Sequence, residues 1–563
     1  MDRNKRWMRR LAAALCLWAL LTGLSVSAAR AEARDITKQC SFKVSEGEKG
    51  KLTDGNVRSM WSYEHSGAYV AIKLPDDVQA GWLRVEWLFD PTGYELVEYD
   101  ASRNPIRQRN QGDMFPNIYS VFELLPETKY IQLKMTAKKQ QIGTVAVYSS
   151  GDLPADVQRW NPPVEKADLM VVSTHQDDEL IFLGGTIPYY ATALKKPTIV
   201  VYMTNCSRYR RNEALNALWK MGVRDYPEFI NLDDEKVGSI KAGVELWGGK
   251  DKILELLVER IRRFKPEVIV TQDLNGEYGH NQHKITARAM MYAVEAAADP
   301  DRYPESYRRY GAWQVKKLYH HLYKENPIVM DWETPLESLN GYSPLKVAQI
   351  GMNEHASQLK YYAVKSHGTY DNSKFGLYFT TVGEDVAKND FLEHIDPDAS
   401  ANYLAEHAGE IEAQKAAAAE ELAAAAESAI AQPDDTPEPD AGEDAPDEVE
   451  DEVEASEEMP EDDAEAQADE APDESTYFGE DADTENAAEG IAEAEGDDIV
   501  EARPGLQAGG EPLTPTQPIA AERSGGTILP VLMIGAGVAA IGVGGWYGWR
   551  YMQGRKRRRR RRR

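Results

Sequence analysis

Between about residues 36 and 155 apolar and polar positions alternate in short runs. Tyr69-Val-Ala-Ile-Lys73, Trp82-Leu-Arg-Val-Glu-Trp87, Tyr94-Glu-Leu-Val-Glu98, Tyr130-Ile-Gln-Leu-Lys134 and Thr144-Val-Ala-Val-Tyr148 all follow this pattern. A period of two puts one face of a strand against a core and the other toward water. Asp90-Pro-Thr-Gly93 and Asn104-Pro105 supply turn residues between runs. Several short strands at this spacing predict an all-β sandwich over 36–155.

From about 165 to 390 the pattern changes. Strand-like runs at Leu169–Ser173, Thr198–Met203, Glu228–Asn231 and Val268–Thr271 alternate with helical stretches. The helices are expected over Leu180–Leu194, Arg211–Met221, Lys252–Phe264 and Gln282–Ala297. In the third of these, Ile253, Leu256, Leu257 and Ile261 share a helical face. Strands alternating with helices predict an α/β fold with a mostly parallel sheet covered by helices.

Beyond that domain the patterning fades. Residues 401–432 are rich in Ala and Glu and predict a helix, and residues 433–525 are acidic, Pro-containing and poor in aromatics. Such a composition cannot bury a core, so a disordered stalk extended by its own charge is expected there. Ile528 to Trp549 then runs 22 residues without a charge, long enough for one transmembrane helix. Residues 550–563 form a basic tail, which the positive-inside rule places in the cytoplasm. At the other end Arg3, Lys5, Arg6, Arg9 and Arg10 precede an apolar run from Leu11 to about Val26, and Ala29-Arg-Ala31 offers a cleavage site. Residues 1–31 therefore read as a secretory signal peptide. The expected location is the cell membrane, single-pass, with both folded domains extracellular.

Charge is informative only when divided. Residues 401–500 hold 37 Asp and Glu against one Lys, a charge of −36, which leaves +7 for the rest of a chain whose net charge is −29. About ten of those positives lie from Arg550 onward, so the folded part is near neutral and a nucleic-acid partner is not indicated. No protein partner is identifiable; the membrane is the expected contact of the C-terminal helix. Past the signal only Cys40 and Cys206 remain, and their pairing is left open.

The chemistry concentrates in two clusters, each just after a strand-like run. His175-Gln-Asp-Asp-Glu179 follows Asp168-Leu-Met-Val-Val-Ser173, and Gly276-Glu-Tyr-Gly-His-Asn-Gln-His283 follows Glu267-Val-Ile-Val-Thr-Gln272. Open α/β sheets place chemistry at the carboxyl ends of strands. Together the clusters offer His, Asp and His, a ligand set for a catalytic zinc that keeps one position open. Adjacent aspartates on a tight turn point different ways, so one can bind metal while its neighbour faces the water to be activated.

Ser173-Thr-His-Gln-Asp-Asp-Glu-Leu180 with Gly276–His283 resembles the two signatures of the PIG-L/LmbE-like N-acetylglucosaminyl deacetylases. Arg210-Arg-Asn-Glu-Ala214, Phe229-Ile-Asn-Leu-Asp-Asp234 and Glu354-His-Ala-Ser-Gln358 are similar to smaller elements of that family, and the likeness covers about 165–385. The resemblance implies a Rossmann-like domain with helices on both faces, holding one zinc ion or another divalent metal. It implies removal of acetyl groups from N-acetylated amino sugars. Residue by residue it assigns the metal to His175, Asp178 and His283, and the general base to Asp177. It makes His280 the group that stabilises the oxyanion or protonates the leaving amine, with Tyr278 assisting the transition state. Arg210 or Arg211, and Asp234 or Asp233, would meet sugar hydroxyls.

The chain departs from that pattern at two positions. Gln176 stands where the family usually has proline, which loosens the turn but removes no ligand, and Gln282 stands where an aspartate often precedes the last histidine. His320, His321 and His367 have no partner pattern and read as structural or substrate-facing. The order of the first domain resembles galactose-binding-like jelly-roll modules, in which Trp61, Tyr63, Trp82 and Trp87 would stack sugars or fill the core. The expected activity is de-N-acetylation of N-acetylglucosamine-type units in extracellular glycans or glycosides. The alternatives are an amidase for another acyl group and a non-catalytic cell-surface glycan-binding protein that keeps the metal site.

Overall fold

The computed structural model describes residues 31–416, apart from 57–58, 112–114, 138–139 and 206. Nearly all of the expected signal, Cys206, the acidic stalk, the span at 528–549 and the basic tail lie outside the described residues. Among the described residues no helix is long and apolar enough to cross a membrane.

Alternation in the first domain becomes two facing antiparallel sheets. The strands are β1 (Ser41–Val44), β2 (Tyr69–Lys73), β3 (Ala80–Trp87), β4 (Tyr94–Tyr99), β5 (Pro105–Asn110), β6 (Tyr119–Glu123), β7 (Tyr130–Met135) and β8 (Ile142–Ser149). They order as β1-β2-β7-β4-β5 and β6-β3-β8. Register pairs Val70 with Leu133 and Ile72 with Ile131. These four meet Leu83 and Val85 of β3 and Val145 and Val147 of β8 in one core. Trp61, Tyr63, Trp82 and Trp87 are all buried, which removes them as sugar-stacking platforms. Strands β1, β5 and β6 were not legible in the pattern. β5 (Pro-Ile-Arg-Gln-Arg-Asn) is a polar edge strand held by its ladder to β4, so its side chains carry no apolar signal.

The second domain is a seven-stranded sheet in the order β11-β10-β9-β12-β13-β15-β14. Its members are β9 (Leu169–Ser173), β10 (Thr198–Asn205), β11 (Glu228–Asp233), β12 (Val268–Thr271), β13 (Lys317–His321), β14 (Pro327–Val329) and β15 (Lys374–Thr380). The first five run parallel, and β15 is antiparallel to both its neighbours. The helices are α1 (Arg208–Lys220), α2 (Ile240–Leu246), α3 (Lys250–Phe264), α4 (Asn281–Ala298), α5 (Pro304–Tyr310), α6 (Pro344–Met352) and α7 (Ala399–Glu406).

Successive residues of β9 divide between two cores. Leu169 and Val171 pack with Leu215 and Leu218 of α1 and Val347 of α6. Met170 and Val172 pack with Leu257 and Ile261 of α3 and Met290 and Val294 of α4. A strand covered on both faces reads as an unbroken apolar run, as Leu-Met-Val-Val does. On α3 the buried stripe is Ile253, Leu254, Leu257, Val258 and Ile261; Leu256, expected in it, is only half-buried.

The helix expected over Leu180–Leu194 is interrupted. A helical turn covers Asp178–Ile181, and a π-helical segment covers Pro188–Ala193. Between them Gly184 has φ +56°, and a Cβ there would fall 2.5 Å from the Asn372 side chain. A Cβ on Gly185 would fall 2.7 Å from Trp332. Tertiary contact thus overrides the helical pattern here. β13 was also missed, because Lys-Leu-Tyr-His-His is buried through polar pairing rather than apolar content.

The two domains are packed together. Tyr226 donates its hydroxyl proton to Asp90 Oδ1 (3.0 Å) and accepts from the Ile118 N–H (3.3 Å). Asn212 of α1 donates to Glu86 of β3 at 3.1 Å.

Candidate active site

Strand order runs from β9 through β10 to β11 on one side and through β12 to β13 on the other. The order therefore reverses between β9 and β12, where ligands bind in open α/β sheets. Both histidine clusters lie just past the carboxyl ends of these strands.

Hydrogen bonds hold the first turn in place. Ser173 Oγ donates to the His175 carbonyl at 2.7 Å, and the Thr174 N–H donates to Gln272 Oε1 at 3.0 Å. Gln176 does not loosen the turn: its amide donates to the Thr204 carbonyl at 2.7 Å and ties the turn to β10. Asp177 has φ 141° and ψ −30°, a conformation that costs a non-glycine residue about 1–3 kcal/mol. Its N–H donates to Glu179 Oε2 at 2.8 Å, and Tyr202 OH donates to Glu179 Oε1 at 2.9 Å. Arg210 donates to Asp177 Oδ1 at 2.5 Å and to the Gln176 carbonyl at 2.8 Å.

Three donor atoms converge beside it. Asp178 Oδ2 is 3.0 Å from His175 Nδ1 and 3.2 Å from His283 Nε2, and the two nitrogens are 3.1 Å apart. Zinc bonds of about 2.0–2.1 Å in a tetrahedron separate ligand atoms by about 3.3 Å, so the triangle fits such an ion. The outer ring nitrogens have acceptors of their own. His175 Nε2 faces Gln282 Oε1 at 3.0 Å and Asp234 Oδ1 at 3.3 Å; His283 Nδ1 faces Glu277 Oε2 at 2.8 Å. A neutral ring that donates outward presents a lone pair inward. Two such lone pairs against a carboxylate call for a proton or a cation between them.

His280 completes the cluster. Its ligand nitrogen lies within 4.8 Å of those of His175 and His283, so His175, His280 and His283 are a second possible donor group. His280 Nδ1 is buried without a hydrogen-bond partner. Tyr278, at φ 48°, sits edge-on to His280 at 5.6 Å and stacks on Tyr362 at 6.5 Å. The pocket, of about 160 Å³, is lined by His175, Asp177, Asp178, Arg210, Asp234, Tyr278 and His280, with Gln358 and Tyr362 among the remainder. A larger groove of about 580 Å³ beside α3 and α5 has no histidine in its wall.

The electrostatics separate the two aspartates. Burial, opposed by Arg210 and reinforced by Asp178, raises the Asp177 carboxyl to about 6. Asp178 is buried too, yet the charges of His283 and His175 hold it well below the usual carboxylate range. Burial pushes His280 down to about 3, with help from His283 and His175, so this ring is neutral. For His283 burial is outweighed by Asp178 and Glu277, which raise it to about 8.

The paired candidates from the sequence take different positions. Arg210 lines the pocket, whereas Arg211 turns away to Asn231 (3.2 Å), Asp90 (3.8 Å) and the ring of Phe229. Asp234 lines the pocket; the Asp233 carbonyl accepts from Trp247 and Gln282 instead. His320 and His321 are fully buried. Cys40 carries a free thiol. Sequence reasoning missed Glu179, Glu277 and Tyr362. The first two were visible inside the quoted motifs, but nothing in a linear pattern shows which way a carboxylate turns.

The sheet, with helices packed on both faces, defines an α/β domain whose His175, His280 and His283 group could hold a metal ion. Residues 170–294 match the family model described as PIG-L: GlcNAc-PI de-N-acetylase, and this segment is a PIG-L-family domain. The chain is similar to a mycothiol S-conjugate amidase of Streptomyces coelicolor, 47% identical over 180 residues, or 27% of this chain and 59% of that protein. It is similar to a 1D-myo-inositol 2-acetamido-2-deoxy-alpha-D-glucopyranoside deacetylase of Geodermatophilus obscurus, 30% identical over 179 residues, or 27% of this chain and 60% of that protein. The chain thus spans about three fifths of the length of these relatives. Among solved structures, N,N'-diacetylchitobiose deacetylase from Pyrococcus horikoshii aligns at 18% identity and TM-score 0.27, over 34% of this chain and 72% of that one.

Proposed function

We propose that this chain is a metal-dependent de-N-acetylase that hydrolyses the acetamide of N-acetylglucosamine-type units. The observation that carries the reading is the triangle of His175 Nδ1, Asp178 Oδ2 and His283 Nε2, with edges of 3.0 to 3.2 Å, beside Asp177. His175, Asp178 and His283 would hold a divalent ion, zinc by the nitrogen-rich donor set. Such an ion, when bound, acts as a Lewis acid on a carbonyl and makes water acidic near neutral pH.

The residues divide the remaining work. Asp177, near 6, accepts the proton of the attacking water and can return it to the departing amine. The C–N bond breaks, a C–O bond forms, and acetate and a free amino sugar result. His280 is neutral, so its role is an N–H donor to the developing oxyanion rather than a proton donor as imidazolium. Tyr278 and Tyr362 wall the entrance, and Arg210 and Asp234 are placed to meet sugar hydroxyls. Arg210 also holds Asp177 Oδ1, so its first duty is to orient the base.

The location belongs to the same proposal. The sequence of 1–31 and 528–549 supports export and a single membrane anchor, with the stalk at 433–525 between anchor and enzyme. The substrate is then an extracellular glycan or glycoside. A second reading, amide hydrolysis of another acyl group, is favoured by the 47% identity to an amidase.

The test is acetate release from N-acetylglucosamine glycosides and oligosaccharides, with and without chelator, beside His283→Ala. Release that is lost with chelator, restored by zinc and absent from the variant is the expected result. Release of other acyl groups but not acetate would select the amidase reading. No release of any acyl group from protein that holds zinc would overturn both.

A further inference from the structure

The ring of His283 is held from behind by a buried pair that the reaction scheme does not use. Glu277 Oε2 lies 2.8 Å from His283 Nδ1, and Glu277 Oε1 lies 2.8 Å from His321 Nδ1. His321 Nε2 in turn lies 3.2 Å from the Asp371 carbonyl oxygen. All three side chains, Glu277, His283 and His321, are 0% exposed. They come from three segments: the turn before α4, the first turn of α4, and the end of β13. Such a bridge joins the loop after β12 to the neighbouring strand.

The chemistry of this bridge is directional. A carboxylate at 2.8 Å from Nδ1 keeps the proton on that nitrogen and leaves Nε2 as a lone pair. Nε2 is the atom that faces Asp178 Oδ2 and His175 Nδ1. Among the described residues Gln282 does not perform this service for His283. Its amide oxygen is turned to His175 Nε2 and its amide nitrogen to the Asp233 carbonyl. Each metal-facing histidine thus has its own backing, Gln282 and Asp234 for His175 and Glu277 for His283, and of the two carboxylates Glu277 is the fully buried one.

We propose that Glu277, seated by His321, is a positioning residue that fixes the His283 ring with Nε2 toward the metal-binding triangle. The inference rests on the metal-dependent reading above. Groups in this position typically alter metal affinity by about 10- to 100-fold.

The experiment is zinc affinity of the full-length chain by chelator competition, with the cobalt(II) absorption spectrum as a geometric readout and melting of the metal-free form as a control. Glu277→Gln keeps an acceptor but loses the charge, so zinc binding should weaken about 10-fold; Glu277→Ala should weaken it about 100-fold. His321→Gln removes one of two holds on Glu277 Oε1, the other being the Asp273 N–H at 3.1 Å, so it should weaken zinc binding in the same direction as Glu277→Gln and provides the readout if a Glu277 variant does not fold. The cobalt bands should shift in each variant. Zinc affinity and cobalt bands unchanged in all three would overturn the proposal. If the wild type then still releases acetate in a chelator-sensitive way, the deacetylase reading stands without it. A wild type that binds no divalent ion overturns both, whereas one that binds zinc but releases no acyl group overturns only the reading, since the affinity comparison still decides the role of Glu277.

Discussion

Glu98 in the sandwich and Asp178 in the α/β domain are both buried carboxylates, yet they belong to different kinds of structure. Glu98 accepts from Arg107 Nε (2.6 Å), Thr128 Oγ1 (2.6 Å) and the Leu125 N–H (2.9 Å), with Arg109 3.2 Å away. The donors there match the roughly four lone-pair positions of one carboxylate, and the network closes on itself. Burial opposes ionisation of Glu98, but these donors prevail and hold it below its ordinary range. Asp178 Oδ2 accepts from the His175 backbone N–H (2.8 Å) and also meets two imidazole nitrogens that face each other. That arrangement is complete only with a proton or a cation at its centre. Buried charge by itself therefore marks nothing; convergence of lone pairs on one point marks a site.

Three measurements would sharpen or break this contrast. The largest effect is expected at the site. Asp177→Asn keeps the shape of the side chain but removes the base, and kcat should fall by about 10²- to 10⁴-fold. Metal content and melting temperature should stay near wild type, and retained activity would assign the base elsewhere.

His320 tests burial without a facing carboxylate. Its Nδ1 donates to the Gln272 carbonyl at 2.9 Å, its Nε2 has no hydrogen-bond partner, and burial lowers it from 6.5 to about 4. The unfolded chain takes up this proton first. Stability is thus fully present above pH 6.5 and is lost as pH falls toward 4, by about 3 kcal/mol at ~1.36 kcal/mol per pH unit. Denaturant titrations over that window should show His320→Asn with a slope lower by about one proton. An unchanged slope would mean that His320 is not the group responsible.

The smallest effect is expected in the sandwich. Glu98→Gln should cost about 2 kcal/mol of stability, since hydrogen bonds to a charged group contribute about 1.5–3 kcal/mol. Acetate release should be unaffected. A loss of activity at full stability would show that the network reaches the catalytic cleft.

Much of the α/β domain was legible in the chain because its signals are local. Val268–Thr271 lies where the pattern placed it, and α1, α3 and α4 begin one to three residues earlier than expected. The sandwich runs appear as β2, β3, β4, β7 and β8. What failed was non-local. The break at Gly184 and Gly185 exists because Asn372 and Trp332 occupy the space a continuous helix would need. β13 is buried because Lys317 meets Asp385 and His321 meets Glu277. His175, Asp177, Asp178, Tyr278, His280 and His283 were named from the two motifs, but the choices between Arg210 and Arg211 and between Asp233 and Asp234 were not decidable from the sequence. Neighbours in sequence on a helix or strand end point to different surroundings, and only packing assigns the surroundings.

By itself the sequence determined the inventory and its order. A period of two precedes an alternation of strands and helices, and two clusters of His and Asp sit where strands end. Those features follow from side-chain periodicity and turn chemistry, which act over a few residues. The tertiary structure decided which atoms meet. It brought His175 and His283, separated by 108 positions, to 3.1 Å, turned Arg211 into a tie to the sandwich, and set Glu277 between two histidines. Distances across segments depend on how two cores pack on one sheet, and no local pattern encodes that.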